Sequence, residues 1–151
     1  MLKKISPLLS PEILKLLADM GHQDKLVLGD ANFPAERYAK YGAVVLRADG
    51  IGVPDLLDAI LDLFPLDDYV EKPVNLMEVP KDQEVETPIW DVYKKIVAKY
   101  DKRGADAVGT IERSAFYEAC KEVYAVIQTG ETAVYANVML DKGIVYVEEK
   151  A

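Results

Sequence analysis

The chain holds one histidine, His22, in the run Met20-Gly21-His22-Gln23-Asp24, and an aspartate, Asp30, closes the apolar run that follows. Imidazole and carboxylate are the residue types of general acid–base chemistry. Ser10 and Pro11 read as the N-cap and first residue of a helix with Ile13, Leu16, Leu17 and Met20 on one face. Gly21 is read as the left-handed residue that ends it. His22 then follows a helix C-terminus, where the macrodipole favours the imidazolium. Lys25-Leu26-Val27-Leu28-Gly29 reads as a buried strand with Asp30 at its carboxyl end, the edge where open α/β sheets bind ligands. The two groups are expected to converge from two elements. Both also have plain readings: a histidine after a helix often bonds its last carbonyls, and Asp after a strand is a common turn residue.

A chain of 151 residues is expected to form one domain, 1–151, with a sizeable hydrophobic core. Half of its residues are hydrophobic, which excludes a disordered polar chain. With 18 Lys plus Arg against 26 Asp plus Glu, the net charge is −8 and no basic stripe interleaves with aromatics. That argues against nucleic acid as a partner. Cys120 is the sole cysteine, so no intrachain disulfide exists, and Phe116-Tyr117-Glu118-Ala119-Cys120 reads as a buried helix face. One His and one Cys leave little for a transition-metal site, and no metal or cofactor is expected. Pro7, Pro11, Glu12 and Asp19 interrupt the N-terminus, which therefore reads as neither signal nor membrane span. The expected compartment is the cytoplasm, with no membrane partner.

The elements that must carry these residues alternate. After a turn at 31–34 and a polar stretch to Gly42, Ala43 to Leu46 reads as a strand. A helix follows from near Val53 to Phe64, with Leu56, Leu57, Ile60, Leu61 and Phe64 at helical spacing. Val74 to Val79 is a strand, and a helix from Thr87-Pro88 carries Ile89, Val92, Tyr93, Ile96 and Tyr100. Ala107 to Ile111, a helix from Arg113 to Lys121, and Val123 to Gln128 continue the pattern. Val134 to Leu140 and Ile144 to Val147 read as a hairpin about Asp141-Lys142-Gly143. The expected fold is a single-domain α/β protein, three-layer α/β/α, with a mixed but mainly parallel sheet. Gly50-Ile51-Gly52 lacks the lysine and hydroxyl of a phosphate loop and is read as a turn.

Gly21-His22-x-Asp24, Asp30-Ala31-x-x-Pro34 and Tyr135-Ala136-Asn137 resemble, in this order, the sugar mutarotase family that contains D-ribose pyranase and L-fucose mutarotase. The opening 1–12, Arg47-Ala48-Asp49-Gly50, 111–118, Thr129-Gly130-Glu131 and Lys142-Gly143 resemble its fucose branch. Residues 35–42 and 80–108 match poorly. The resemblance implies a cofactor-free isomerase that interconverts the anomers of a free monosaccharide. It also implies a homo-oligomeric ring, often a decamer, with each site between neighbouring subunits. By resemblance His22 is the acid–base residue, and Asp30, Arg113, Tyr135, Ala136 and Asn137 are substrate-binding. Asp24 is read as a turn residue, its part in the site left open. Pyranose–furanose interconversion of ribose, or a sugar-binding module without catalysis, are the alternatives.

Mutarotation itself needs little. One group removes the proton of the anomeric hydroxyl while another protonates the ring oxygen, and histidine reaches both forms near neutrality. An aspartate beside it would orient the ring. Arg113 offers planar donors, Tyr135 a ring and hydroxyl, and Asn137 both donor and acceptor. On a strand, Tyr135 and Asn137 would share a face.

Overall fold

The computed structural model describes residues 1–148. Ser10 caps the first helix, its hydroxyl accepting the Ile13 N–H, and Pro11 opens α1 (Pro11–Asp19). The apolar face is as the spacing predicts: Ile13, Leu16, Leu17 and Met20 are all buried. The other elements are β1 (Lys25–Gly29), β2 (Val44–Ala48), α2 (Val53–Leu61), β3 (Val74–Met77), α3 (Pro88–Tyr100), β4 (Val108–Ile111), α4 (Arg113–Ala119), β5 (Ala125–Thr129) and β6 (Val138–Asp141). Six strands form one sheet in the order β2-β5-β1-β6-β3-β4. The β2–β5, β5–β1 and β3–β4 pairs are parallel, and β6 runs antiparallel between β1 and β3.

Strand periodicity sorts the core into two layers. Leu26 and Leu28 of β1 face α1, α2 and α3, packing in a cluster with Leu16, Leu57, Ile60 and Val97. Val27 points the other way, into a cluster with Tyr38, Phe116, Cys120 and Met139. Helices thus cover both faces of a mixed, mainly parallel sheet, as expected.

Four expectations are corrected here. Residues 35–41 are not merely a polar stretch: Ala35–Tyr41 is a 3₁₀ helix that buries Ala35 and Tyr38. The left-handed residue after α1 is Gln23 (φ 73) rather than Gly21, because Met20 leaves the helix extended and the Asp24 carboxylate accepts the Gly21 N–H at 2.7 Å. On α3, Val92 and Tyr100 are exposed, and the buried contacts come from Tyr93 and Val97. Finally, residues 144–147 form no hairpin with β6. Both edges of β6 are already taken by β1 and β3, so no ladder is left for a returning strand. The chain instead ties to the 65–66 segment, where the Gly143 N–H donates to the Pro65 carbonyl at 2.8 Å. A side chain at Gly143 would lie 2.5 Å from the Leu66 carbonyl oxygen, so only glycine fits that approach.

Candidate active site

β1 decides the arrangement. His22 precedes it and Asp30 follows it, and five residues at a rise of about 3.3 Å each hold the two apart by roughly 16 Å. The expected convergence of His22 with Asp30 within one chain does not occur: the strand between them sends each to an opposite edge of the sheet.

At the amino edge of β1, the turn after α1 presents His22 with 28% of its side chain exposed. Its Nε2 lies 3.0 Å from Oδ1 of Asp67, a residue only 1% exposed. The Tyr69 ring meets the imidazole edge-on, with centroids 4.9 Å apart. Asp67 also accepts the Tyr69 N–H at 3.0 Å. Arg103 fixes the loop that carries it: the guanidinium donates to the Asp67 and Val70 carbonyls at 3.0 and 2.9 Å and is itself gripped by Asp101. Burial opposes ionisation of Asp67. The Tyr69 N–H, the His22 ring and the nearby Arg103 charge prevail, and its carboxyl sits below the usual value. An ionised carboxylate can only accept, so Nε2 carries the hydrogen and Nδ1 keeps a lone pair for a ligand.

At the carboxyl edge, Asp30, Arg113, Tyr135 and Asn137 line one cavity of about 260 Å³. Asn137, 5% exposed, accepts the Asp30 N–H on its Oδ1 at 2.8 Å. The Asp30 carboxylate accepts the Asn32 N–H at 2.9 Å. Burial first, and the Glu131 charge to a lesser degree, push the Asp30 carboxyl above its usual value against the pull of backbone N–H groups. Arg113 opens α4 directly after Glu112, whose carboxylate caps that helix through the Ser114 and Ala115 N–H groups. Among the described residues Arg113 joins no ion pair, and Glu118 pairs with Lys121. Its donors are available to a ligand.

Tyr135 and Asn137 do not lie on a strand. They belong to the turn entering β6, where Tyr135 takes a left-handed φ of 51°. Their shared side comes from that turn rather than from strand alternation. Ala136 is fully buried and its carbonyl accepts the Tyr93 hydroxyl, so what it can offer a ligand is its backbone N–H. Asp24 acts as a turn residue through the Gly21 N–H. Cys120 is fully buried and its thiol is pushed up to about 12 by burial, which leaves it inert.

Other cavity residues escaped the sequence reading. Tyr117 lines the cavity and stands four residues after Arg113, a spacing that puts both on one helix face and could have found it. Gln83, whose Oε1 accepts the Tyr135 hydroxyl at 2.6 Å, sits in an irregular loop and carried no signal. Glu131 holds the loop beside the cavity, its carboxylate accepting the N–H groups of Val53, Thr132 and Ala133. Asp67 had none either: it is one of two adjacent aspartates in a short loop. No helix among the described residues is long and apolar enough to cross a membrane.

Comparison with known proteins identifies the family. The chain is 49% identical to human fucose mutarotase over 146 residues, covering 95% of this chain and 94% of that protein. The crystal structure of FucU from Bifidobacterium longum superposes with a TM-score of 0.91 at 53% identity, over 94% of this chain and 99% of the other. That of the Streptococcus pneumoniae fucose mutarotase in complex with L-fucose gives 0.86 at 39% identity, over 96% and 100%. Residues 3–145 match the RbsD / FucU transport protein family, and the chain belongs to it.

Proposed function

We propose that the protein is a sugar mutarotase that interconverts the α and β anomers of L-fucose or a closely related aldose, without a cofactor. The observation that carries this is the chain's one histidine, partly exposed, with a buried carboxylate behind it at 3.0 Å. Relatives named fucose mutarotase along nearly the whole chain support the same reaction and sugar.

The chemistry follows from the pair. Nδ1 of neutral His22 takes the proton of the anomeric hydroxyl, the C1–ring-oxygen bond breaks, and the imidazolium so formed returns that proton to the ring oxygen. The free aldehyde rotates about its bond to C2 and recloses from the other face. Asp67 stabilises the imidazolium that forms in each half and keeps the ring in one orientation. Asp30 and Asn137 are matched to sugar hydroxyls as acceptor and amide, Arg113 as a planar set of donors, Tyr135 as a ring beneath the sugar, and Ala136 through its N–H.

No single copy can bring His22 to the Asp30 cavity. We therefore take the site to form between copies, the amino edge of β1 in one meeting the carboxyl edge in the next. Two different surfaces in contact make a head-to-tail interface, which forms a ring where its rotation closes. The opposite-edge placement supports a homo-oligomeric ring, with a decamer as its expected size, and the reading keeps the cytoplasm as its compartment. The buried carboxylate behind His22 favours catalysis over a binding module, and the fucose names of the relatives favour fucose over ribose.

Because the reaction has no net product at equilibrium, the test is proton NMR saturation transfer between anomeric signals. L-Fucose, D-ribose and D-galactose are compared with and without protein. Protein-dependent exchange strongest for L-fucose is expected. Binding of L-fucose without faster exchange would support the binding module, and preference for D-ribose would support the pyranase reading.

A further inference from the structure

We propose that α3 is the backing of the sugar cavity: Trp90 and Tyr93 are positioning residues that hold the Tyr135–Asn137 turn in its binding form, and Trp90 reports whether the cavity is filled. The inference rests on the functional reading above and assigns roles to two residues that do not line the cavity.

Tyr135 holds a φ of 51°, a region that residues with a side chain enter only when their surroundings impose it. Two donors on one helix impose it here. The Trp90 indole Nε1–H donates to the Tyr135 carbonyl at 2.8 Å, and the Tyr93 hydroxyl donates to the Ala136 carbonyl at 2.7 Å. Three residues apart, they share one helix face and meet two successive carbonyls. Both side chains are stiff rings, so each donor is placed with little freedom. Tyr93 is fully buried, and that burial together with the Glu131 and Asp30 charges keeps its phenol protonated, hence always a donor.

The turn passes this order on. Beyond the two held carbonyls, Tyr135 is presented to the cavity with its hydroxyl on Gln83, and Asn137 accepts the Asp30 N–H at 2.8 Å. A line of hydrogen bonds therefore runs from α3 through the turn to the aspartate of the site. His22 and Asp67 lie at the other edge of the sheet and are not part of it. Loosening α3 should thus weaken sugar binding and leave proton transfer alone.

Trp90→Phe keeps an aromatic ring and removes the N–H; Tyr93→Phe removes only a hydroxyl. By saturation transfer, each should raise the KM for L-fucose about 5- to 10-fold, the worth of one hydrogen bond, with kcat and its pH profile kept. A merely structural role would shrink the active fraction, lowering kcat at unchanged KM, and that result overturns the proposal, as does a KM within twofold of the parent in both variants. Should Tyr93→Phe fail to fold, Trp90→Phe alone decides. Two readouts need no variant kinetics. Trp90 is the only tryptophan, so parent emission should change with L-fucose and saturate with the exchange rate; an unchanged emission contradicts the reporter role. Independently of any sugar, the Asp30 amide should lose hydrogen-exchange protection in the variants, and full protection there contradicts the clamp. A parent that neither binds nor exchanges L-fucose fails the functional reading instead, while the amide measurement still judges α3.

Discussion

His22 Nε2 and Asp67 Oδ1 lie 3.0 Å apart although 45 residues separate them in the chain. The contact joins a turn after the first helix to a loop that Arg103 pins from outside. Asp67 is 1% exposed while the imidazole remains 28% exposed, so the carboxylate is shut off from water and the ring is not. That asymmetry suits an acid–base group: one nitrogen is committed to a fixed acceptor and the other is left for a substrate.

Replacing the group that changes protonation should be the more severe lesion. His22→Ala is expected to slow L-fucose anomer exchange by roughly two to four orders of magnitude, the share of a general acid–base. Sugar affinity, measured by calorimetry, should change far less. Near-normal exchange in this variant would remove His22 from the mechanism.

Asp67→Asn keeps an acceptor for Nε2–H but removes the charge that stabilises the imidazolium. Exchange should fall about 10- to 100-fold, part of the acid–base contribution. The variant also makes a prediction about acid. The Asp67 carboxyl is held below its usual value, so it favours the folded state at pH above the ordinary carboxylate range. That contribution is lost as pH falls through the folded value. Melting temperatures of parent and variant should therefore differ at neutral pH and approach each other in strong acid; a gap that widens in acid would contradict the assignment.

Asp30 carries the opposite sign. Its carboxyl is raised above 3.8, chiefly by burial, so the folded state binds more protons than the unfolded one between the two values. The charge costs stability above that window, and the cost fades as pH falls through it. Asp30→Asn should thus melt higher than the parent at neutral pH, with the difference closing in acid, while its L-fucose affinity drops. A variant that is less stable at neutral pH and binds sugar as well as the parent would show that Asp30 serves the fold rather than the ligand.

Local signals in the sequence are legible because their physics is local. The Ser10 cap, Pro11 and the Ile13, Leu16, Leu17 face need only neighbours along the chain, and α1 forms as they dictate. Arg113, Tyr135 and Asn137 do share a cavity with Asp30, but their placement was legible only through family resemblance. What was missed depends on partners distant in sequence. The alternation of Ile144 to Val147 resembles a strand, yet β6 has no free edge to receive it. Gly21 looked like the left-handed residue until the Asp24 carboxylate claimed its N–H. Asp67 could be recognised only once packing had buried it behind His22. The placement of His22 and Asp30 was readable in principle, since a strand between two residues separates them by its length.

Catalytic and binding groups supplied by different copies should complement one another in mixed assemblies. His22→Ala, which lacks the acid–base group, and Arg113→Ala, which lacks the cavity's guanidinium, are unfolded together in equal amounts, refolded, and checked for mixed assembly by mass spectrometry. If each site pairs His22 of one copy with Arg113 of the next, about a quarter of the sites in a random head-to-tail ring receive both intact residues. Saturation transfer on L-fucose should then recover about that fraction of parent exchange. If both residues of a site belonged to one chain, every site would carry a lesion. Mixed rings whose exchange stays at the background of the separate variants would show that no site is shared between copies.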